Sequence, residues 1–200
     1  MPTLVTVLLS YLLGCFSTAY YLVRWRTGQD VRTLGSKNAG ATNAWRVLGV
    51  WGFVVAFLGD MGKGVAALLL ARALTGGHPW AVALAAPAVV AGHIWPVQLS
   101  FRGGEGFATA LGAFAVLDPA MTGAMTALAL ILAGVTRKRS LAGLAALLGA
   151  LLWTLALGRP VSQLVALLLT VPMMLWAFRR HLRRLLGPLH ASLFQFRRDE

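Results

Sequence analysis

Residues 4–23 read LVTVLLSYLLGCFSTAYYLV, twenty consecutive positions without a charged side chain. About 20 apolar residues make a helix long enough to cross the hydrocarbon core of a bilayer. Leu12-Leu13-Gly14-Cys15 resembles a lipoprotein cleavage box, but no Lys or Arg precedes Arg24. A secretory signal peptide carries a basic region ahead of its apolar run. Here the positive charge follows the run, which predicts a retained first helix with its N-terminus outside. The rest of the chain has the same character. Of 200 residues, 58% are hydrophobic and 12% are charged. Soluble domains carry roughly 25% charged residues, so composition argues against a water-soluble globular protein. The single cysteine, Cys15, permits no intrachain disulfide.

Further apolar runs cover residues 48–74, 80–99, 107–117, 120–135, 141–157 and 161–178. Gly76-Gly77-His78-Pro79 and Gly158-Arg159-Pro160 read as turns, and Asp118-Pro119 as a break. Alternating from an outside N-terminus, the loops after the first, third, fifth and seventh runs face the cytoplasm. They hold fifteen of the eighteen basic residues; Arg72 and Arg159 lie towards the outer side and Lys63 lies within a run. The formal charge of +12, which in a soluble protein points to nucleic acid, here orients helices. The expected fold is all-α: a polytopic integral membrane helical bundle of seven transmembrane helices. It forms one domain over residues 1–200, with the C-terminus cytoplasmic. Fusion of the fourth and fifth runs across Asp118-Pro119 lowers the count.

Polar side chains concentrate on the cytoplasmic side. The first loop runs Asp30-Val-Arg-Thr-Leu-Gly35-Ser36-Lys37-Asn38-Ala-Gly40-Ala-Thr42-Asn43-Ala-Trp-Arg46. Its glycines admit close backbone approach, and its Ser, Thr, Asn, Lys and Arg side chains supply donors and positive charge. That mixture suits a phosphate group; an ordinary polar connection is the alternative. The second stretch runs Gly92-His93-Ile-Trp-Pro96-Val-Gln-Leu-Ser-Phe101-Arg102-Gly103-Gly104-Glu105-Gly106-Phe-Ala-Thr109. A Gly-rich turn entering a helix is a potential anion site, but Glu105 can itself occupy the helix end. Asp60 and Lys63 share one helix face and can pair; they either serve a site or neutralise each other and fix packing. His93 and His181 lie at cytoplasmic span ends, fit for acid–base or structural roles. The tryptophans near span ends form an aromatic belt. Nucleophile elbows, metal-binding helices and phosphate-binding Walker loops are missing. Direct transfer between bound substrates, by positioning and electrostatics, is what remains.

These segments resemble a known family, the bacterial acyl-phosphate-dependent glycerol-3-phosphate acyltransferases. Gly14-Cys-Phe-Ser17 is similar to its first-helix segment, and the Asp30–Arg46 loop to its first motif. Asp60-Met-Gly-Lys63-Gly64 and the Gly92–Thr109 stretch match further segments. So do Thr136-Arg137-Lys-Arg-Ser140-Leu and Arg180-His181. The resemblance implies a multi-pass protein of the bacterial inner membrane whose active site faces the cytoplasm. It implies acyl transfer from acyl phosphate to the 1-hydroxyl of sn-glycerol 3-phosphate, the first step of phospholipid synthesis. It implies no cofactor, no metal, no nucleic acid, and a monomer among membrane lipid. Ser36 and His181 are the expected catalytic residues. The expected substrate contacts are Lys37, Asn38, Gly40, Thr42, Asn43, Arg46, Asp60, Lys63, His93, Arg102, Gly103, Gly104, Glu105, Gly106, Thr109, Ser140 and Arg184. The family pattern has Lys at Glu105, Asn at Arg184 and more usually Gly at Lys37. A compensating Glu105–Arg184 ion pair is expected. A divergent relative that binds lipid phosphate or glycerol phosphate without transfer is the alternative; a small transporter is a third reading.

Overall fold

The computed structural model describes residues 2–137 and 139–196, with side chains described through residue 179 except at 138–141 and 144. These residues form eight α-helices and two short 3₁₀ turns, and among the described residues there is no strand. The helices are α1 (Pro2–Cys15), α2 (Thr18–Thr27), α3 (Ala41–Thr75), α4 (Pro79–Ile94), α5 (Phe107–Leu117), α6 (Pro119–Thr136), α7 (Arg139–Ala156) and α8 (Val161–Phe196).

Five stretches are long and apolar enough to cross a membrane: Pro2–Thr27, Ala41–Thr75, Pro79–Leu99, Pro119–Thr136 and Val161–Arg179. The sequence predicted seven. The difference lies in α5, whose 11 residues rise only about 16 Å, and in α7, whose described apolar part, Ala145–Ala156, is also short. The fourth and fifth runs remain separate helices, because the Asp118 carboxylate accepts from the Met121 amide at 3.0 Å and caps α6. The first polar loop is shorter than the predicted 24–46. Helix α2 runs on to Thr27, where Gly28 ends it at φ 71°. Helix α3 starts at Ala41, so Thr42, Asn43 and Arg46 are helical; α3 is interrupted at Gly49 (φ 75°, ψ −164°).

The first span, expected to be continuous, is broken between α1 and α2. A break inside a bilayer exposes backbone groups that must find partners. Here they come from other helices. The Gln98 amide donates to the Cys15 carbonyl at 2.5 Å, and the Lys63 ammonium donates to the Phe16 carbonyl at 2.6 Å. The Thr18 amide and hydroxyl donate to the Asp60 carboxylate at 3.4 and 3.1 Å.

Helix α4 is buried almost all round and forms the hub. Its Ala-rich surface lets neighbours come close, and two crossings are backbone on backbone. A Cβ on Gly14 would strike the Val89 carbonyl, and one on Gly92 would strike the Tyr11 carbonyl, so α1 lies directly on α4. In the same way Gly64 faces the Thr109 carbonyl and Gly112 the Met61 carbonyl, joining α3 to α5. Small residues at helix crossings are the usual means of tight packing where lipid removes the hydrophobic drive. Large apolar side chains point outward instead, among them Leu130 at 70% exposure and Val135 at 79%. Such a surface suits lipid rather than water.

Candidate active site

A cavity of about 710 Å³ opens at the end of the bundle where α4 stops and α3 starts. Three segments wall it. The first loop contributes Asp30, Arg32, Thr33, Ser36, Lys37 and Asn38; the second contributes Ser100, Phe101, Arg102, Gly103, Gly104 and Glu105; α8 contributes Trp176, Ala177 and Arg179. The volume lies within the range of small-molecule sites, about 300–1,000 Å³.

The first loop is wound around one buried side chain. The Asn43 carboxamide oxygen accepts from the Ser36 amide at 2.8 Å. Its nitrogen donates to the carbonyls of Val31, Leu34 and Asn38 at 2.8, 3.0 and 3.0 Å. Asn43 therefore shapes the wall from behind. Arg32 fastens this loop to the second. It grips Asp30 with Nη2 at 2.7 Å from the carboxylate and donates through Nη1 to the Leu99 carbonyl at 2.6 Å. Hydrogen bonding from Arg32 holds the Asp30 carboxyl below the usual carboxylate range. Lys37 sits at φ 61°, a left-handed conformation that disfavours any side chain with a Cβ. This explains why glycine suits that position.

The second loop folds back on the end of α4. The Gly103 amide donates to the Ile94 carbonyl at 3.0 Å and the Gly104 amide to the His93 carbonyl at 3.1 Å. No Cβ fits at either glycine: Gly103 lies on the His93 carbonyl and Gly104 on the His93 imidazole. Below this floor Asp60, Lys63 and His93 form a buried cluster. The Lys63 ammonium is 2.9 Å from the Asp60 carboxylate and 2.8 Å from His93 Nδ1. With the Phe16 carbonyl, these give the ammonium three acceptors for its three N–H donors. An ammonium at Lys63 requires His93 Nδ1 to accept, which assigns the ring proton to Nε2, the edge that faces Gly104.

With the Asp30–Arg32 pair mutually satisfied, Lys37, Arg102 and Arg179 set the cavity's charge against the half-buried Glu105. Arg179 stacks on Trp176, its guanidinium carbon 3.4 Å from the ring centroid. A second cavity, of about 300 Å³, lies between α3, α5, α6, α7 and α8. Phe53, Phe57, Phe107, Phe114, Met125 and Met174 are among its apolar lining. Phe107 opens α5 two positions after Glu105, and Met174 precedes Trp176 by two on α8, so the two linings adjoin in sequence at the loop before α5 and on α8.

A family model described as glycerol-3-phosphate acyltransferase matches residues 4–187. The chain belongs to the glycerol-3-phosphate acyltransferase family. Glycerol-3-phosphate acyltransferase 1 of Desulfitobacterium hafniense is 43% identical, with 94% of this chain and 92% of that protein covered. The Deinococcus radiodurans protein of the same name is 40% identical, with 92% of each covered. A solved structure of PlsY, an integral membrane glycerol 3-phosphate acyltransferase in its glycerol 3-phosphate form, superposes with a TM-score of 0.87. It is 32% identical, with 93% of this chain and 92% of that one covered. Its lysophosphatidic acid form superposes with a TM-score of 0.84, at 30% identity and the same coverage. This chain is thus a member of an enzyme family of integral membrane acyltransferases.

Of the residues expected to meet substrate in a member of this family, Ser36, Lys37, Asn38, Arg102, Gly103, Gly104 and Glu105 line the cavity. Gly40, Thr42, Asn43, Arg46, Asp60, Lys63, His93, Gly106 and Thr109 do not. Arg46 lays its stem beside Gly35, Gly106 turns the chain into α5 at φ 83°, and Thr109 is fully buried. The side chains of Ser140, His181 and Arg184, and with them the expected Glu105–Arg184 pair, lie outside the described residues. Asp30, Arg32, Ser100 and Phe101 fall within the two candidate stretches without being singled out as contacts, and Trp176 and Arg179 line the cavity from outside those stretches. Arg179 was read only as orienting charge and Trp176 only as belt, and their three-residue helical spacing was the available signal.

Proposed function

We propose that this chain transfers a fatty acyl group from acyl phosphate to the 1-hydroxyl of sn-glycerol 3-phosphate, releasing lysophosphatidic acid and inorganic phosphate. A polar cavity and an apolar one that both reach α8 carry this reading. In it the polar cavity receives two phosphates from water, and the apolar one receives the acyl tail from lipid. Lys37, Arg102 and Arg179 supply the charge that phosphates need. Acyl phosphate is an activated mixed anhydride, so no enzyme nucleophile is required. The acceptor hydroxyl oxygen attacks the acyl carbonyl carbon, the carbon–oxygen bond to phosphate breaks, and the hydroxyl proton passes to the departing phosphate. Ser36 and His181 assist as hydrogen-bonding groups. In this reading Asn43, Asp60, Lys63 and His93 act from behind the wall. The short α5 and α7, in the same reading, add two crossings to the five long stretches, so the chain passes the inner membrane seven times as a monomer, with the cavity facing the cytoplasm.

The test is incubation of the purified protein with palmitoyl phosphate and labelled glycerol 3-phosphate. Lysophosphatidic acid in stoichiometric yield with phosphate is expected; no product from folded protein would overturn the assignment. Ser36→Ala should slow turnover about 10²-fold, the typical worth of one well-placed donor, without changing the thermal midpoint.

A further inference from the structure

Arg26, in the last turn of α2, takes no part in the cavity wall. Its guanidinium carbon lies 4.8 Å from the Trp25 ring centroid and 4.7 Å from that of Trp51 on α3. Both indoles are exposed, Trp25 at 74% and Trp51 at 46%. Both rings lie within cation–π reach of the guanidinium, and neither takes up the five N–H donors along its edge. Among the described residues no carboxylate or carbonyl accepts from that edge; the nearest acid in sequence, Asp30, is held by Arg32. A held guanidinium with an open donor edge matches two oxygens of a phosphate. Indoles settle at the headgroup level of a bilayer, and Arg24 and Arg46, both exposed on the same two helices, add attraction for an anionic surface.

We propose that Trp25, Arg26 and Trp51 form a binding site for the phosphodiester headgroup of an anionic phospholipid, separate from the catalytic cavity. Native mass spectrometry of the full chain in detergent tests it, with phosphatidylglycerol, phosphatidylcholine or inorganic phosphate added. Phosphatidylglycerol adducts should exceed phosphatidylcholine adducts, and Arg26→Ala should weaken them about fivefold, the worth of one basic residue near an anionic surface. Arg26→Lys should fail to restore them, because an ammonium lacks the planar fork, and Trp51→Leu should weaken them too. Acyl transfer in lipid-free detergent should be unchanged in all three variants. Equal adducts in wild type and Arg26→Ala, full recovery in Arg26→Lys, or displacement by millimolar inorganic phosphate would each overturn the proposal.

Discussion

Asn43 holds the first loop's share of the cavity wall from behind. Asn43→Asp keeps the acceptor for the Ser36 amide but removes the donations to three carbonyls. At about 1 kcal/mol for each net hydrogen bond, the variant should lose roughly 2–3 kcal/mol in denaturant titration and turn over more slowly. Lys37 presents the opposite case. Lys37→Gly relieves a left-handed residue and should gain about 1 kcal/mol of stability, while removing a cavity cation should raise KM for glycerol 3-phosphate. Glu105→Lys should lower that KM, by reversing a charge that opposes the acceptor's phosphate. The Asp30–Arg32 clasp has its own pH signature. Its carboxyl titrates below the ordinary value of about 3.9 because Arg32 binds the charged form. The clasp therefore contributes fully at neutral pH and fades as pH falls below about 4 towards the folded value. The gap in thermal midpoint between wild type and Asp30→Asn should close over that acid range.

At the scale of helices, the apolar runs announced nearly every element, and their capping residues are visible in the sequence. Thr27-Gly28 stops α2, and Asp118-Pro119 ends α5 and starts α6. The break at Phe16-Ser17 was not legible. Nothing local forces it: the groups that satisfy it are Gln98, Lys63 and Asp60, 42 to 83 residues away in sequence. For the same reason the sequence leaves both readings of Asp60 and Lys63, site or packing, open: their partners Thr18, Phe16 and His93 lie on other segments. Lys63→Met should be among the most damaging changes in the chain. It leaves the buried Asp60 carboxylate without its ammonium, and removing one partner of a buried pair costs about 3–5 kcal/mol. The Asp60→Asn/Lys63→Met double variant should recover part of that loss in the same unfolding titration, because no buried charge is left alone.

Taken whole, the molecule is a bundle whose polar cavity sits at one end and whose opposite end is sealed by a second set of polar contacts. There Asp118 accepts from Gln163 at 3.0 Å and pairs with Arg159 at 3.0 Å, while Arg72 donates to the Val116 carbonyl at 2.6 Å. The charge count had assigned Arg72 and Arg159 to that end, and the structure gives both a helix terminus to hold. A protease-sensitive tag on the C-terminus should be cut only from the cytoplasmic side of sealed vesicles, which checks the proposed orientation. The two glycine crossings have a wider consequence. Because α1 meets α4, and α3 meets α5, main chain against main chain at these glycines, the spacing there is set by atoms that substitution elsewhere does not alter. Substitutions in the cavity lining, at Glu105 or Lys37 for example, can then retune what the cavity binds while the scaffold stays in register.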